Sequence, residues 1–421
     1  MFTLPETQAL RALTRDGRLL FSTRIVRLFA YGFLSVVLAL YLDEIGLDEQ
    51  QIGLLFTATL VGDAVISLGI ASIADRVGRR KMLFVGAGLM IFAGLMFALT
   101  RNWLLLTLAA IIGTISPSGN EVGPFLSIEQ AALPQTAPDR LRTQVFAWYN
   151  LAGSFSTALG ALCGGGLVAL LKEVGVAHLD SYRAVVIGYA LLGIGLALLF
   201  SRLSVAVEVA EIKSAVKSRF GLHRSRRVVA KLAMLFAIDA FAGGFVVQSW
   251  VAYWFHQHYG VQEGVLGGIF FGANILAGLS ALAAARIAAR IGLINTMVWT
   301  HIPSNILLIL VPLMPNLPLA IAVLLARFSI SQMDVPTRQS YIMAVVDPDE
   351  RSAAAGATTI VRTAASALSP TLTGALLAAS FFSAPFFLAG GLKIIYDLSL
   401  YRSFRTMKPP EEQSPPPDTP E

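Results

Sequence analysis

The segment at positions 71–81, which reads ASIADRVGRRK, places four cations and one acid at the end of a long apolar run. The whole chain of 421 residues is 55% hydrophobic and only 14% charged, with a mean hydropathy of +0.68. A soluble protein needs a more polar surface than this composition supplies, so we expect the chain to lie in a lipid bilayer. The charged segment then marks a point where the chain leaves the bilayer.

The apolar runs predict transmembrane helices. Crossing about 30 Å of hydrocarbon requires roughly 20 mainly apolar residues, and the sequence contains about twelve runs of this kind. We place these spans at 21–42, 51–74, 81–99, 103–133, 143–171, 183–200, 229–255, 264–289, 293–314, 317–346, 352–379 and 383–400. Runs such as 183–200 are apolar on every face, which favours helices over alternating strands. The sequence therefore predicts an all-α membrane protein with twelve transmembrane helices.

The distribution of Lys and Arg predicts the orientation of these helices. The loops at 43–50, 256–263, 315–317 and 380–385 contain no Lys or Arg, whereas the loops on the other side are basic. Under the positive-inside rule the first set faces away from the cytoplasm, and we call this side the outer end. Both termini are then cytoplasmic. Residues 1–20 lack the features of a cleaved signal peptide and are expected to form a cytoplasmic arm.

Residues 201–228 interrupt the apolar rhythm and read as a linker between two halves, 21–200 and 229–400. Adding 214 to a residue number aligns the halves, so that Gly53 meets Gly267 and Gly78 meets Gly292. Two bundles of six helices on one plan imply a pseudo-two-fold axis and a cavity that opens to one side at a time. The tail at 401–421 is rich in Pro and acid and is expected to be disordered.

The charged segment and this plan together resemble the major facilitator superfamily. Its loop between helices 2 and 3 reads Gly-x-x-x-Asp-Arg-x-Gly-Arg-Arg-Lys, and the matching residues here are Ala71, Asp75, Arg76, Gly78, Arg79, Arg80 and Lys81. The only departure is Ala71 at the leading glycine. The resemblance implies a cytoplasmic latch in which Asp75 lies at the N-terminus of helix 11, where the helix dipole favours a carboxylate. Fixing the topology explains the arginines, but Asp75 and Gly78 need the latch, so we assign both roles.

A second motif lies in helix 5, where Gly160, Gly164 and Gly165 resemble the Gly-Pro-x-x-Gly-Gly motif of antiporters in this family. Ala161 stands where that motif has proline, and Pro370 occupies the corresponding place in helix 11. Small residues let helices approach closely and proline bends a helix, which suits helices that slide during transport. Ordinary packing of small residues accounts for the same pattern, and both interpretations stay open.

Ionisable side chains inside the spans mark candidate sites, because a charge in mid-bilayer costs about 2.5–3.5 kcal/mol. The candidates for a proton or substrate site are Glu121, Asp334, Asp63, Asp239, Arg338 and Arg362. Glu121 and Asp334 lie just before the matched Pro124 and Pro336, and carboxyl groups at such depth can load and release a proton. Glu121 ranks first because its own helix has no cation within four residues, whereas Asp334 can pair with Arg338.

The remaining charges have two interpretations each. Asp63 and Asp239 are either buried structural acids or proton or substrate sites. Arg362 either pairs with a structural acid, which we favour, or binds an anionic substrate. Lys393 and Asp397 are four residues apart and are expected to pair with each other.

These observations predict a secondary active transporter, not an enzyme, since the sequence has no ATP-binding loop or hydrolase motif. We expect a monomer in the plasma membrane that exports a small organic solute in exchange for protons. Cys163 is the only cysteine, so no cysteine-based metal site, and no cofactor, is expected. The cations are spread over helix ends, which does not favour a nucleic-acid partner. The alternatives are proton-coupled uptake of an organic anion or sugar, served by Arg327, Arg338 and Arg362, and a membrane sensor without transport.

Overall fold

The structure, a computed structural model, describes residues 10–136, 138, 141–208, 223–347, 350–407 and 409. Within these ranges the regular elements are helices, and none is a strand. The first half contains α1 Arg15–Ser35, α2 Leu38–Glu44, α3 Glu49–Val77, α4 Arg79–Leu99, α5 Trp103–Ile112, α6 Phe125–Ala132, α7 Arg142–Glu173 and α8 His178–Ser201. The second half contains α9 Arg226–Gly244, α10 Gln248–Tyr259, α11 Glu263–Ile291, α12 Leu293–Leu310, α13 Leu317–Phe328, α14 Asp334–Val345, α15 Arg351–Ala378 and α16 Ala384–Phe404.

The helices confirm an all-α membrane protein but leave the number of spans a prediction. Among the described residues, seven helices are long and apolar enough to cross a membrane, or eight if the bent pair α1 and α2 forms one span. The predicted spans 1, 4, 7 and 10 are each built from two helices, namely α1 and α2, α5 and α6, α9 and α10, and α13 and α14. Every third predicted span is therefore broken, and backbone groups at the breaks need partners other than their own helix.

The internal repeat is visible in the helix boundaries. Helix α11 begins and ends 214 residues after α3, and both contain 29 residues. Each is followed by a glycine in the left-handed region, Gly78 with φ +116° and Gly292 with φ +86°. Side chains are strained at such angles, so glycine is the residue that this turn between two helices requires. The two halves thus share this local plan, as the sequence predicted.

The chain forms two compact units that do not coincide with the two halves. The first comprises the described residues of Met1–Ala215, Val246–Gly278 and Ala367–Phe382. The second comprises those of Val216–Phe245, Leu279–Ser366 and Ser383–Glu421. The boundaries fall within α11 and α15 and at the break between α9 and α10. The outer ends of three predicted spans of the second half, spans 7, 8 and 11, therefore belong to the first unit.

Glycines bring helices of the first unit into backbone contact. A Cβ atom on Gly160 would lie 2.0 Å from the carbonyl oxygen of Phe29, and one on Gly164 would lie 2.1 Å from that of Phe33. Real Cβ atoms do not approach so closely, so α7 packs against α1 only because both residues are glycine. Pro370 lies within α15, and its carbonyl oxygen would be 2.5 Å from a Cβ on Gly53 of α3.

Candidate transport site

A cluster of buried charges in the first unit joins α1 to α6, to α7 and to the irregular segment between α5 and α6. We call it the N-terminal charge cluster, and its members are Arg24, Arg27, Glu121, Glu129 and Tyr149. Arg27 is fully buried and donates two parallel hydrogen bonds of 2.8 and 2.7 Å to Glu129. Its Nε donates a third, 2.7 Å long, to Glu121. Such bidentate pairs are the strongest ion pairs available to proteins, and they offset the cost of burying the charges.

Glu121 pairs with two cations. It was ranked first among the candidate proton sites because no cation lies near it on its own helix, and these pairs remove that reason. Arg24 donates to one of its carboxylate oxygens at 2.8 Å and Arg27 to the other at 2.7 Å. The prediction considered cations on the same helix only, whereas both arginines come from α1. Arg24 and Arg27 lie inside the predicted span 21–42, and two arginines there were a signal that sequence reasoning missed. Glu129, inside predicted span 4, was missed as well.

Asp63 differs from Glu121 in its partners, although it binds the backbone only two residues after Glu121. Its carboxylate accepts hydrogen bonds from the backbone N–H of Gly123 and from the hydroxyl of Ser67, the latter 3.1 Å long. Within the described part of the chain, no Lys, Arg or His nitrogen lies within 4.0 Å of it. Asp63 is thus a carboxyl group in a membrane-spanning helix whose partners are all neutral.

The segment around Gly123 is irregular, as the prolines and glycines of 117–124 predicted. Helix α5 ends at Ile112 and α6 begins at Phe125. The break in span 7 supplies partners for its backbone, because Ser249 of α10 donates from both N–H and Oγ to the carbonyl oxygen of Pro117. The Ser249 hydroxyl also lies 2.6 Å from the carbonyl oxygen of Ser35, at the end of α1. Three broken spans therefore meet in the first unit and satisfy one another's backbone groups.

The second unit contains its own cluster of buried charges, centred on Asp239 of α9. This C-terminal charge cluster consists of Asp239, Asp334, Arg338, Arg362 and Lys393. Asp239 lies 2.5 Å from Lys393 Nζ, 3.2 Å from Arg338 and 3.3 Å from Arg362. Arg338 also reaches Asp334 at 2.8 Å. Asp239 is therefore the shared partner of three cations, one of which is Arg362, and the structural role of Arg362 stays a prediction.

The expected pairing of Lys393 with Asp397 is wrong. Lys393 turns to Asp239, while Asp397 accepts hydrogen bonds from Asn305 at 3.1 Å and pairs with His301 at 2.9 Å. The spacing of four residues places Lys393 and Asp397 on one helix face. Lys393 nevertheless binds Asp239 on α9. His301 is itself buried.

Part of the predicted gate motif lies outside the described side chains, namely those of Ala71 and Asp75. Arg76 and Lys81 are exposed, whereas Arg79 is buried and donates to the carbonyl oxygens of Ala131 and Val207. Glu208 accepts from the backbone N–H groups of Arg79 and Arg80 at 2.6 and 3.2 Å. A carboxylate thus caps the N-terminus of α4, where the helix dipole favours it. The latch on helix 11 stays a prediction.

The acids of the two clusters are paired with cations, whereas Asp63, which lies outside both clusters, has no cation within 4.0 Å in the part of the chain that the structure describes. Paired charges in the bilayer connect helices and can exchange partners, while an unpaired acid can take a proton without breaking an ion pair.

Among the described residues, no group of three or more His, Cys, Asp and Glu side chains could hold a metal ion.

Comparison with known proteins agrees with this architecture. The sequence profile of the Major Facilitator Superfamily matches residues 20–370. The uncharacterized membrane protein YJR124C of Saccharomyces cerevisiae is 31% identical over 93% of this chain and 94% of its own length. The quinolone resistance protein NorA of Staphylococcus aureus is 25% identical over 134 residues, which is 32% of this chain and 33% of NorA.

A similar fold is seen in the crystal structure of a bacterial homolog of the human lysosomal transporter Spinster, in an inward-facing and occupied conformation. The TM-score is 0.71 at 16% identity, with 96% of this chain and 98% of that chain covered. The profile match spans more than half of the chain, and the helices and their breaks fit a transporter, not an enzyme. The chain belongs to the Major Facilitator Superfamily and is a multi-pass membrane transporter of a small solute.

Proposed function

We propose that this transporter couples the movement of its solute to protons through Asp63, and that it exports the solute across the plasma membrane. The observation that carries the proposal is the contrast between Asp63 and the other predicted acids. Glu121, Asp239 and Asp334 each have a cation within about 3 Å, whereas Asp63 has neutral partners only. A proton on Asp63 removes an intramembrane charge and breaks no ion pair.

The hydrogen bond from Gly123 supplies a way for the proton to act on the fold. A protonated carboxyl accepts hydrogen bonds more weakly than a carboxylate, so the proton loosens the hold of α3 on the irregular segment 113–124. That segment carries Glu121, and Pro117 within it binds Ser249 at the break of span 7. A proton at Asp63 therefore biases the contacts among spans 1, 4 and 7. Alternating access needs a bistable contact of this kind.

Export in exchange for protons is supported by the glycine motif of α7 and by the resemblance to NorA over 134 residues. Both termini lie in the cytoplasm in this proposal, and the unit of transport is the monomer. Proton-coupled uptake of an organic anion is a second candidate. Arg327, which has no acidic partner within 4.0 Å in the described ranges, suits an anionic solute in either direction of transport.

The test uses purified full-length protein in liposomes that contain a pH-sensitive dye. Candidate solutes are added on either side, and the variants are Asp63→Asn and, as a matched control, Asp180→Asn, whose side chain is exposed. Wild type and the control are expected to move protons opposite to the solute. Asp63→Asn should keep solute-for-solute exchange and lose solute-driven proton movement.

Two results would contradict the proposal. Proton movement by Asp63→Asn at the wild-type rate would remove Asp63 from the coupling step. Proton movement in the same direction as the solute would replace export by uptake.

A further inference from the structure

Arg327 of α13, in predicted span 10, lacks an acidic partner among the described residues. The clustered cations of the second unit, Arg338, Arg362 and Lys393, all contact Asp239, and Arg338 also contacts Asp334. Asp397 pairs with His301 instead. In the described part of the chain no acidic oxygen lies within 4.0 Å of the Arg327 guanidinium group. The described residues of the second unit thus include a positive charge without a counter-ion.

The predicted span 317–346 places Arg327 too deep for its charge to reach water at the membrane surface. Arg327 is ten residues after the start of α13 at Leu317, which at about 1.5 Å per residue is roughly 15 Å along the helix. Half of a hydrocarbon core of about 30 Å is the same distance. Long side chains near helix ends can extend to the interface, but one at mid-depth cannot.

Local interactions stabilise the charge of Arg327 without satisfying its donors. The guanidinium carbon lies 4.8 Å from the centre of the Phe328 ring, and the residue is in the last turn of α13, where the helix dipole favours a cation. Asp334 is the nearest acid along the chain, but Arg338 already binds it at 2.8 Å. The Nε atom of Arg327 is buried and has no hydrogen-bond partner.

A second unsatisfied group lies in the same break. The Oγ atom of Ser331 is buried and has no hydrogen-bond partner, four residues after Arg327 and between α13 and α14. The break itself is anchored, because the backbone N–H of Gln332 donates to Ser280 of α11 at 3.2 Å. Buried polar groups are nearly always satisfied, so two unsatisfied donors at one fixed break call for an acceptor that the described residues do not provide.

We propose that Arg327 and Ser331 bind the anionic group of the transported solute, which is therefore a small organic anion. A guanidinium group pairs with the planar oxygens of a carboxylate or phosphate through two parallel hydrogen bonds, and a hydroxyl adds a third donor. Binding supplies the missing counter-ion of Arg327 and satisfies both groups at once. This inference rests on the proposed function, since it names the substrate class of the same transporter.

The experiment measures the thermal unfolding midpoint of the purified full-length protein with pairs of compounds in which one member carries an anionic group and the other is neutral. The pairs are benzoate and benzamide, succinate and succinamide, and glycerol 3-phosphate and glycerol. The variants are Arg327→Gln, Arg327→Lys and Ser331→Ala, and the control is Arg286→Gln, an exposed arginine of α11. We expect at least one anion, and none of the neutral compounds, to raise the wild-type midpoint by roughly 2 °C or more.

The variants then locate the site. Arg327→Gln should weaken the apparent affinity for that anion at least about tenfold, as expected for the loss of a hydrogen bond to a charged group. Arg327→Lys should retain part of the affinity, Ser331→Ala should weaken it less, and Arg286→Gln should leave it unchanged. If Arg327→Gln fails to fold, the affinities of Arg327→Lys and Ser331→Ala for the anion test the site, and both should lie below that of wild type.

The inference is overturned if no anion separates wild type from the Arg327 variants, or if each neutral compound stabilises as well as its anion. This failure is distinct from failure of the proposed function. Proton movement that depends on Asp63 together with no anion effect would refute the substrate class alone. Anion binding that depends on Arg327 without proton movement would refute the proton coupling alone.

Discussion

Gly165 and Gly267 hold the backbones of α7 and α11 in direct contact. A Cβ atom on Gly165 would lie 2.9 Å from the Cα of Gly267 and 2.2 Å from the carbonyl oxygen of Glu263. The same contact recurs at the position related by the repeat, where Gly53 of α3 meets Gly374 of α15 with a Cβ-to-Cα separation of 3.1 Å. Both contacts lie in the first unit, towards the outer end, and join helices from different halves of the sequence.

We expect Gly165→Ala to prevent this contact and to lower the transport rate. The added methyl group overlaps the backbone of α11, and overpacking of this kind costs about 1–3 kcal/mol. A state that needs the contact is then populated roughly tenfold less, so solute flux into liposomes should fall by about that factor. Gly166→Ala is the matched control, because a Cβ there has no atom within 4 Å. Equal flux in both variants would show that the contact is not part of the transport cycle.

The repeat and its glycines could be predicted because both are visible as a constant offset between positions in the sequence. Gly53 and Gly267 share an offset with Gly78 and Gly292, and conformations that only glycine adopts leave a direct mark in the sequence. Ion pairs between helices have no corresponding spacing in the sequence from which they could be predicted. Lys393 has Asp397 on its own helix face yet binds Asp239, which is 154 residues away in sequence. Arg24 and Arg27 of α1 likewise bind Glu121 of span 4, so the sequence indicated several buried acids but not their partners.

Because three cations share Asp239, we expect the loss of Asp239 alone to destabilise the protein more than the loss of Asp239 together with one of these cations. Asp239→Asn removes one acid and leaves Lys393, Arg338 and Arg362 without their common partner, and breaking a buried pair on one side costs about 3–5 kcal/mol. The double variant Asp239→Asn/Lys393→Met removes a charge of each sign and should recover much of the lost stability. The unfolding midpoints of the purified proteins test this. A double variant less stable than Asp239→Asn would contradict the pairing.

Glu350 predicts a loss of stability at acid pH. Its carboxylate accepts hydrogen bonds from the backbone N–H groups of His223, Ser225 and Arg224, the last two 2.9 Å long. These bonds, from His223 above all, lower its pKa from 4.5 to about 2. A pKa depressed on folding stabilises the protein above the unfolded value, and this stability is lost as the pH falls from 4.5 towards about 2.

The measurement is the unfolding midpoint of wild type and of Glu350→Gln between pH 7 and roughly pH 2. The amide cannot titrate and binds the three N–H groups just before α9, a set of bonds that we call the cap, more weakly. We therefore expect the variant to be less stable at pH 7 and to converge with wild type in acid. Glu173→Gln serves as control, since Glu173 ends α7 and accepts no such set of amides in the described structure. A constant difference between the two proteins over the whole range would rule out the cap.

Arg27 and Glu129 predict the largest single loss of stability in the first unit. Both side chains are fully buried, and their two parallel hydrogen bonds join α1 to α6. Arg27→Met leaves Glu129 charged and without its bidentate partner, which should lower the free energy of unfolding by about 3–5 kcal/mol. Arg27→Met/Glu129→Met replaces the pair by apolar side chains and should be more stable than Arg27→Met alone, because Glu129 is no longer left as a buried charge without a cation, while Glu121 keeps Arg24.

A double-mutant cycle over these two residues therefore gives a coupling energy, which for groups in direct contact reaches about 0.5–3 kcal/mol. The same cycle on Arg183 and Asp180, an exposed pair at 3.2 Å, should give less than about 1 kcal/mol, because water screens it. If the buried pair shows no more coupling than the exposed one, then Glu121 and Tyr149 take over Arg27 or Glu129 when the partner is lost. The cluster would then act as a set of exchangeable charges, and transport would survive Glu129→Met while failing in Arg27→Met.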